Sequence, residues 1–239
     1  MTAQSEEPRL TMVLLPGMDG TGELFAPFLE ILGQDVVARV IDYPRDEPMD
    51  YDQLTEFVLQ RVPNDDQLVI LGESFGGPLA VRVADRLGAR VAALILCCTF
   101  LRNPTPRWAP LMKVAAMFPL NRLPGFAVNH VLLSGLNDSA LIRSIQRATA
   151  SVRSRVLARR LKAVTRLDVS ALLAKLTAPV MCIEGTNDNL VAPGTATEVQ
   201  MLVPSAHTVF IDGPHCVLQV APKVCVEQIG RFLHALDDN

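Results

Sequence analysis

The chain has 239 residues, 49% hydrophobic and 20% charged, which excludes an intrinsically disordered segment and fits one α/β domain with a generous core. The formal net charge of −3 hides a split: Thr99 to Arg166 holds twelve cations and one anion, Asp138, a net +11 that leaves −14 on the rest. With an acidic body, no aromatics interleaved among the arginines and no apolar run near the roughly 18 residues of a spanning helix, neither nucleic-acid binding nor a transmembrane segment is expected.

The first residues, Met1 to Pro8, are polar and acidic without an apolar h-region, so no signal peptide is expected. Cys97, Cys98, Cys182 and Cys225 sit in apolar segments and no cysteine pair has C-x-x-C spacing. They read as reduced core residues of a cytoplasmic protein rather than as disulfides or a metal site.

Leu10 to Leu15 reads as a strand running into the loop Pro16-Gly17-Met18-Asp19-Gly20-Thr21-Gly22. A helix follows with Leu24, Phe25, Phe28, Leu29 and Leu32 on its apolar face and Gly33 as its stop. Val36 to Ile41 is a second strand, and Asp50 is expected to cap a helix carrying Leu54, Phe57 and Val58 that ends near Pro63. A third strand, Leu68 to Leu71, meets Gly72-Glu73-Ser74-Phe75-Gly76, and a helical pattern through Leu79, Val83 and Leu87 closes at Gly88. Val91 to Cys98 is continuously apolar, as befits a fourth strand covered on both faces. Strands alternating with helices imply βαβ units, hence a parallel sheet with right-handed crossovers.

The alternation then stops. Asn103 to Pro106 and Pro119 to Gly125 break the next segment into short pieces, with helical patterns at Ser139–Ala148 and Ser151–Val164. Residues 101–165 therefore read as a small helical insert capping a core of residues 1–100 and 166–239. Alternation resumes with a helix over Asp168–Leu176, a fifth strand Val180–Glu184, a helix Thr195–Leu202, a sixth strand Thr208–Ile211 and a closing helix Val224–Leu236.

Gly-x-Ser-x-Gly between a strand and a helix is the context of a nucleophile elbow. Such a turn holds its serine in strained φ/ψ and brings strand and helix backbones together, which is why the flanking positions are glycine. A serine hydroxyl needs an adjacent base, itself oriented by a third group. In parallel sheets these gather beyond the carboxyl ends of the strands. The fifth strand runs into Gly185-Thr186-Asn187-Asp188 and the sixth into Gly213-Pro214-His215, giving the chain order Ser74, Asp188, His215. His207 opens a strand, His234 lies on the last helix and His130 in the insert, so His215 alone follows a strand end. Among rival acids, Glu184 still belongs to its strand and Asp212 stands too close in sequence to His215; Cys97-Cys98-Thr99-Phe100, after the fourth strand, offers none. Glu73 is read as structural, pointing behind the turn, and Cys216 as a cavity-lining or core residue rather than a reactive thiol.

On these three segments the chain resembles the α/β-hydrolase superfamily from about Leu10 to its C-terminus. The pairing of Leu15-Pro16-Gly17-Met18-Asp19-Gly20-Thr21-Gly22 with the elbow is similar, more narrowly, to bacterial esterase/lipase-like hydrolases and, distantly, to plant plastid esterase/acyltransferase proteins. The resemblance implies an α/β fold with a mostly parallel sheet, helices on both faces and a small helical cap. It implies Ser74 as nucleophile, His215 as base and then acid, Asp188 as the orienting carboxylate, and the backbone N–H groups of Met18 and Phe75 as the oxyanion hole. Pro16 stands where the family often has histidine; backbone amides donate whatever the side chain. The expected substrate is a small carboxylic ester cleaved through an acyl-enzyme, with no metal and no cofactor. The alternatives are acyl transfer or thioester hydrolysis on acyl-CoA or acyl-carrier substrates, and a non-catalytic binding protein of the same fold. Trp108, Met112, Met117 and Phe118 could line an acyl pocket or form the core of the insert. The arginines of Ser151–Arg166, with Arg147, Arg153 and Arg160 compatible with one helix face, read as a solvated face; attraction of anionic substrates, acyl carriers or lipid headgroups is the alternative.

Overall fold

The computed structural model describes residues 10–33, 36–65, 67–104, 121–191 and 193–237. Among these, β1 (Leu10–Leu15), β2 (Val36–Val40), β3 (Leu68–Glu73), β4 (Val91–Cys97), β5 (Val180–Gly185) and β6 (His207–Ile211) form one sheet in the order β2-β1-β3-β4-β5-β6. Every neighbouring pair is parallel. The described helices are α1 (Ala26–Ile31), α2 (Tyr51–Leu59), α3 (Gly76–Leu87), α4 (Gly125–Leu132), α5 (Ser139–Ala150), α6 (Ser154–Val164), α7 (Ser170–Leu173), α8 (Thr195–Leu202), α9 (Val217–Val220) and α10 (Pro222–Asp237).

The continuous apolar runs are explained by two cores. Val13, Leu15, Ile70, Leu94 and Leu96 pack with Leu54 and Val58 of α2, Leu79 and Val83 of α3 and Val199 of α8. Met12, Leu14, Val69, Leu71 and Ile95 pack on the other face with Phe28 of α1 and Cys225 and Ile229 of α10. Alternate residues of each central strand thus enter opposite cores, so neither face can be polar. The start of α2 is a capping box: the Asp50 carboxylate accepts from Gln53 N at 3.1 Å and the Gln53 side chain accepts from Asp50 N at 3.1 Å.

From β1 the chain goes to β2 on one side, then returns to β3 on the other. The loops after β1 and β3 therefore meet beyond the strand carboxyl ends, the topological switch point where ligands bind in such sheets. Ser74, between β3 and α3, has φ +53°. A Cβ at Gly72 would press into the carbonyl of Gly76, and one at Gly76 into the carbonyl oxygens of Leu15 and Pro16. These are backbone atoms and cannot swing aside.

The connection after β4 departs from expectation in three ways. The helix expected over Asp168–Leu176 is a single turn, α7. Val169 N donates to Leu101 O and Asn103 N to Leu167 O, so the backbone of 167–169 is committed to a bridge with 101–103 and cannot begin a helix. The helix expected from Ser151 starts at Ser154, because Arg153 N donates to Arg45 O instead of continuing the preceding turn. Helix α4, where only short pieces are expected, packs on α5 through Val128 and Ile145, with Cys216 of the sixth strand's loop beneath. No described helix is long and apolar enough to cross a membrane.

Replacing Gly76 by alanine should cost about 3 kcal/mol or more, since the overpacking is against backbone. Urea unfolding of the variant beside Gly230→Ala, whose Cβ position is open, measures it.

Candidate active site

Three loops converge at the carboxyl ends of β3, β5 and β6. The Ser74 hydroxyl lies 2.8 Å from His215 Nε2, and His215 Nδ1 lies 2.7 Å from Asp188 Oδ2. Asp188 Oδ1 accepts from the amides of Leu190 at 2.8 Å and Val191 at 2.9 Å, which fixes the carboxylate. The imidazole and carboxylate are both almost fully buried, at 6% and 8% exposure. With Nδ1–H donating to Asp188, Nε2 presents its lone pair to the serine hydroxyl. Burial pulls His215 down, but its hydrogen bond to Asp188 and the carboxylate's charge outweigh it, so the ring titrates above its ordinary 6.5.

The loop after β1 lies against the serine: a Cβ on Gly17 would stand 3.7 Å from Ser74 Cβ. Among the described residues neither the Met18 nor the Phe75 amide has a hydrogen-bond partner. The Phe75 ring stacks on Tyr51 at 4.5 Å and meets Tyr43 edge-on at 6.4 Å. Tyr51 Oη donates to Phe75 O and Tyr43 Oη to Pro16 O. Burial holds both phenols well above their ordinary range, so each remains a donor.

A cavity of about 340 Å³ opens on Ser74 and His215. Its apolar wall includes Leu24, Val128, Val131, Leu132, Ile145 and Leu157. Trp108, Met112, Met117 and Phe118 lie outside the described residues. Cys216 lines the cavity, and burial pushes its thiol well up, so it is not a thiolate. Among the described residues no group of three His, Cys, Asp or Glu side chains could hold a metal ion.

Chain order and strand ends suffice to pair Ser74, Asp188 and His215, but other participants escape that reading. Tyr43 and Tyr51 reach the elbow from β2's loop and α2, a meeting no local pattern announces. Arg160 corrects the solvated-face reading outright: it is 1% exposed, and its guanidinium donates to the carbonyls of Met18, Asp19 and Pro44. Arg147 lies in the last turn of α5, Arg153 stands at the N-cap position of α6 and Arg160 lies within α6, so the three arginines do not share a helix face. A signal existed: Arg160 follows Val156 and precedes Val164 by four residues each, on the stripe that faces inward.

A family model described as serine aminopeptidase, S33, matches residues 39–217. The chain belongs to that family, and its fold is the α/β-hydrolase fold. A curated relative, a pimeloyl-[acyl-carrier protein] methyl ester esterase of Nitrosomonas europaea, is 28% identical over 224 residues, covering 86% of this α/β-hydrolase and 87% of the relative. Solved structures share the fold at lower identity. The enol-lactonase from Burkholderia xenovorans LB400 has a TM-score of 0.85 at 19% identity, over 97% of this chain and 94% of that one. A thermophilic esterase from Thermogutta terrifontis has a TM-score of 0.79 at 22% identity, over 95% and 90%.

Glu73 is 7% exposed and accepts from Gln219 Nε2 at 3.0 Å, and both residues are part of the lining of the cavity at Ser74. Burial raises its carboxyl from 4.5 to about 7, against the Gln219 hydrogen bond. Between those values the native state holds the extra proton, so stability falls as pH rises from about 4.5 through 7. Gln219 Oε1 is buried without a partner. Glu73→Gln should remove the pH dependence and place an amide donor beside that oxygen. In urea unfolding the variant should exceed wild type by up to about 3 kcal/mol at pH 8, with a smaller margin at pH 5.

Proposed function

We propose that the chain is a carboxylic ester hydrolase in which Ser74, His215 and Asp188 are a catalytic triad working through an acyl-enzyme. The observation that carries this is the unbroken relay of two short hydrogen bonds from Asp188 through His215 to the hydroxyl of a strained, cavity-facing serine. As Ser74 Oγ attacks the ester carbonyl, its proton passes to His215 Nε2, and Asp188 stabilises the imidazolium. The carbonyl oxygen becomes an oxyanion that the Met18 and Phe75 amides receive; one such donor is worth about 2.7–4 kcal/mol in the transition state. His215 then protonates the departing alkoxide, leaving an acyl-Ser74 ester. Water deprotonated by the same imidazole cleaves that ester, releases the acid and restores the serine.

In this reading residues 101–165 are a cap on a core of 1–100 and 166–239, and the wall from α4, α5 and α6 receives an apolar acyl group. The five cysteines are free and buried, which fits a reducing, cytoplasmic compartment. The relative's name supports a second reading, an ester of an acyl-carrier-linked acyl group as substrate, and the excess of cations in the cap suits that reading and a thioester of an acyl carrier alike. Comparing turnover of simple esters, acyl-CoA and ester plus an acceptor alcohol separates hydrolysis, thioester cleavage and transfer.

Ser74→Ala should lower kcat on a p-nitrophenyl ester about 10⁶-fold, and Asp188→Asn about 10⁴-fold, with the fold retained by circular dichroism. A fluorophosphonate should label wild type at Ser74. Substantial activity in Ser74→Ala rules the assignment out. Because His215 must be neutral to act, kcat/KM should fall with decreasing pH through an apparent pKa above 6.5. A panel of esters of increasing acyl length reads the cavity: Val131→Trp, which fills it, should depress long-chain esters about tenfold relative to acetate.

A further inference from the structure

The loop after β1 is held by its carbonyls. Pro16 O accepts from Tyr43 Oη at 3.0 Å, Gly17 O from Gly20 N at 3.0 Å, and Gly20 O from Tyr43 N at 2.7 Å. The two between them, Met18 O and Asp19 O, both accept from Arg160 Nη1, at 2.9 and 2.7 Å. Five successive carbonyls are thereby fixed, and the third and fourth depend on a side chain reaching in from α6. In a trans peptide the N–H points opposite to the C=O it shares a plane with. With Gly17 O turned to Gly20, the Met18 N–H is turned away from it and left without a partner among the described residues.

Arg160 is built into this position. Nη2 donates to Pro44 O at 3.0 Å, and the guanidinium lies 5.3 Å from the centre of the Tyr43 ring. Gly20, at φ +69°, makes the room: a Cβ there would stand 2.6 Å from Arg160 Nη1 and 2.5 Å from Tyr43 Cδ2. A planar fork can hold three carbonyls on two loops at once, whereas a lysine ammonium in the same space is a point donor on a flexible stem.

We propose that Arg160 is a positioning residue of the oxyanion site: reaching from the cap, its guanidinium holds residues 16–20 so that the Met18 amide faces the carbonyl oxygen of an ester bound at Ser74. The proposal rests on the ester-hydrolase reading and adds a cap residue that sets the geometry of the core's chemistry. The catalytic groups need not contact Arg160; the coupling runs through the peptide planes of Met18 and Asp19.

The test uses the full chain and a matched p-nitrophenyl ester and thionoester, since hydrogen-bond donors shaped for an oxyanion favour oxygen over sulfur. Arg160→Met should lower kcat on the ester about 10- to 100-fold with little change in KM, and should narrow the ester-to-thionoester rate ratio. Gly20→Ala, which displaces the same guanidinium, should do likewise, and added guanidinium chloride should partly restore Arg160→Ala. Should Arg160→Met not fold, Arg160→Lys, which keeps stem and charge without the fork, gives the same readout. An unchanged kcat and ratio in folded variants, or equal slowing of both substrates without rescue, overturns the proposal and leaves Arg160 as a packing residue. If wild-type ester turnover survives in Ser74→Ala, the ester-hydrolase reading falls and takes this one with it. Turnover that needs Ser74 and is indifferent to Arg160 removes this one alone.

Discussion

Ser74 is held at a positive φ by contacts that leave it no alternative, and the rest of the site is placed relative to that turn. A left-handed non-glycine residue costs on the order of 1–3 kcal/mol, a large share of the 5–15 kcal/mol by which a domain is stable. The strain persists because the turn is over-determined. Ser74 N donates to Cys97 O on β4, and Ser74 O accepts from Thr99 Oγ1 and Gly77 N. The Phe75 ring is gripped by two buried tyrosines. Because Gly76 also lies against the carbonyls of Leu15 and Pro16, the Ser74 turn and the loop after β1 are packed together backbone to backbone. A serine Oγ and a backbone amide can be held in fixed relation only if neither loop moves alone.

The acid and the histidine are tied together by a separate lattice. Thr186 N donates to Ile211 O, Asn187 N to Gly213 O, and the Asn187 side chain to Asp212 Oδ1. The Asp188 turn is thus fastened to the His215 turn before the carboxylate meets the imidazole. From outside, Ser134 Oγ donates to Asn187 O and the Asn189 side chain to His130 O, so α4 and the residues after it brace the same loop. Asp212, a rival acid on sequence grounds, is used here as an acceptor that shapes the loop.

The legibility of the chain follows the range of the interactions involved. Strands with both faces buried, the capping box at Asp50 and the glycines of the elbow are local, and each leaves a pattern in consecutive residues. The pairing of Ser74 with Asp188 and His215 spans more than a hundred residues, yet topology makes it readable, because each group follows a strand whose carboxyl end must point to the same side. What escapes is contact between elements that no periodicity relates: Tyr51 on Phe75, Gln219 on Glu73, and the bridge of Arg102 with Asp168 that leaves one turn where nine helical residues are expected. The arginines of 143–166 are the instructive case. Amphipathic bookkeeping treats arginine as a solvent residue, so a guanidinium on the apolar stripe of α6 is missed even though its spacing from Val156 and Val164 is visible.

The charge split between the 99–166 segment and the rest then has a physical reading that depends on burial. Arg159 pairs with Asp50 at 2.6 Å and Arg155 reaches Asp46 O at 2.8 Å, while Arg45 of the body binds Glu23 and Ser151 Oγ. These contacts lie at the surface, with Arg159–Asp50 partly covered, and surface pairs of this kind contribute about 0–1 kcal/mol each and weaken with salt. Those that join the segment to the body therefore add little to holding it there. Arg160 is different in kind. Its charge is out of water, so three carbonyl acceptors and the Tyr43 ring must replace its hydration, and removing them would leave an uncompensated buried cation. That penalty makes its place specific where the exposed pairs leave theirs loose. Salt should therefore loosen the rim of the segment long before it disturbs the grip on Met18 and Asp19.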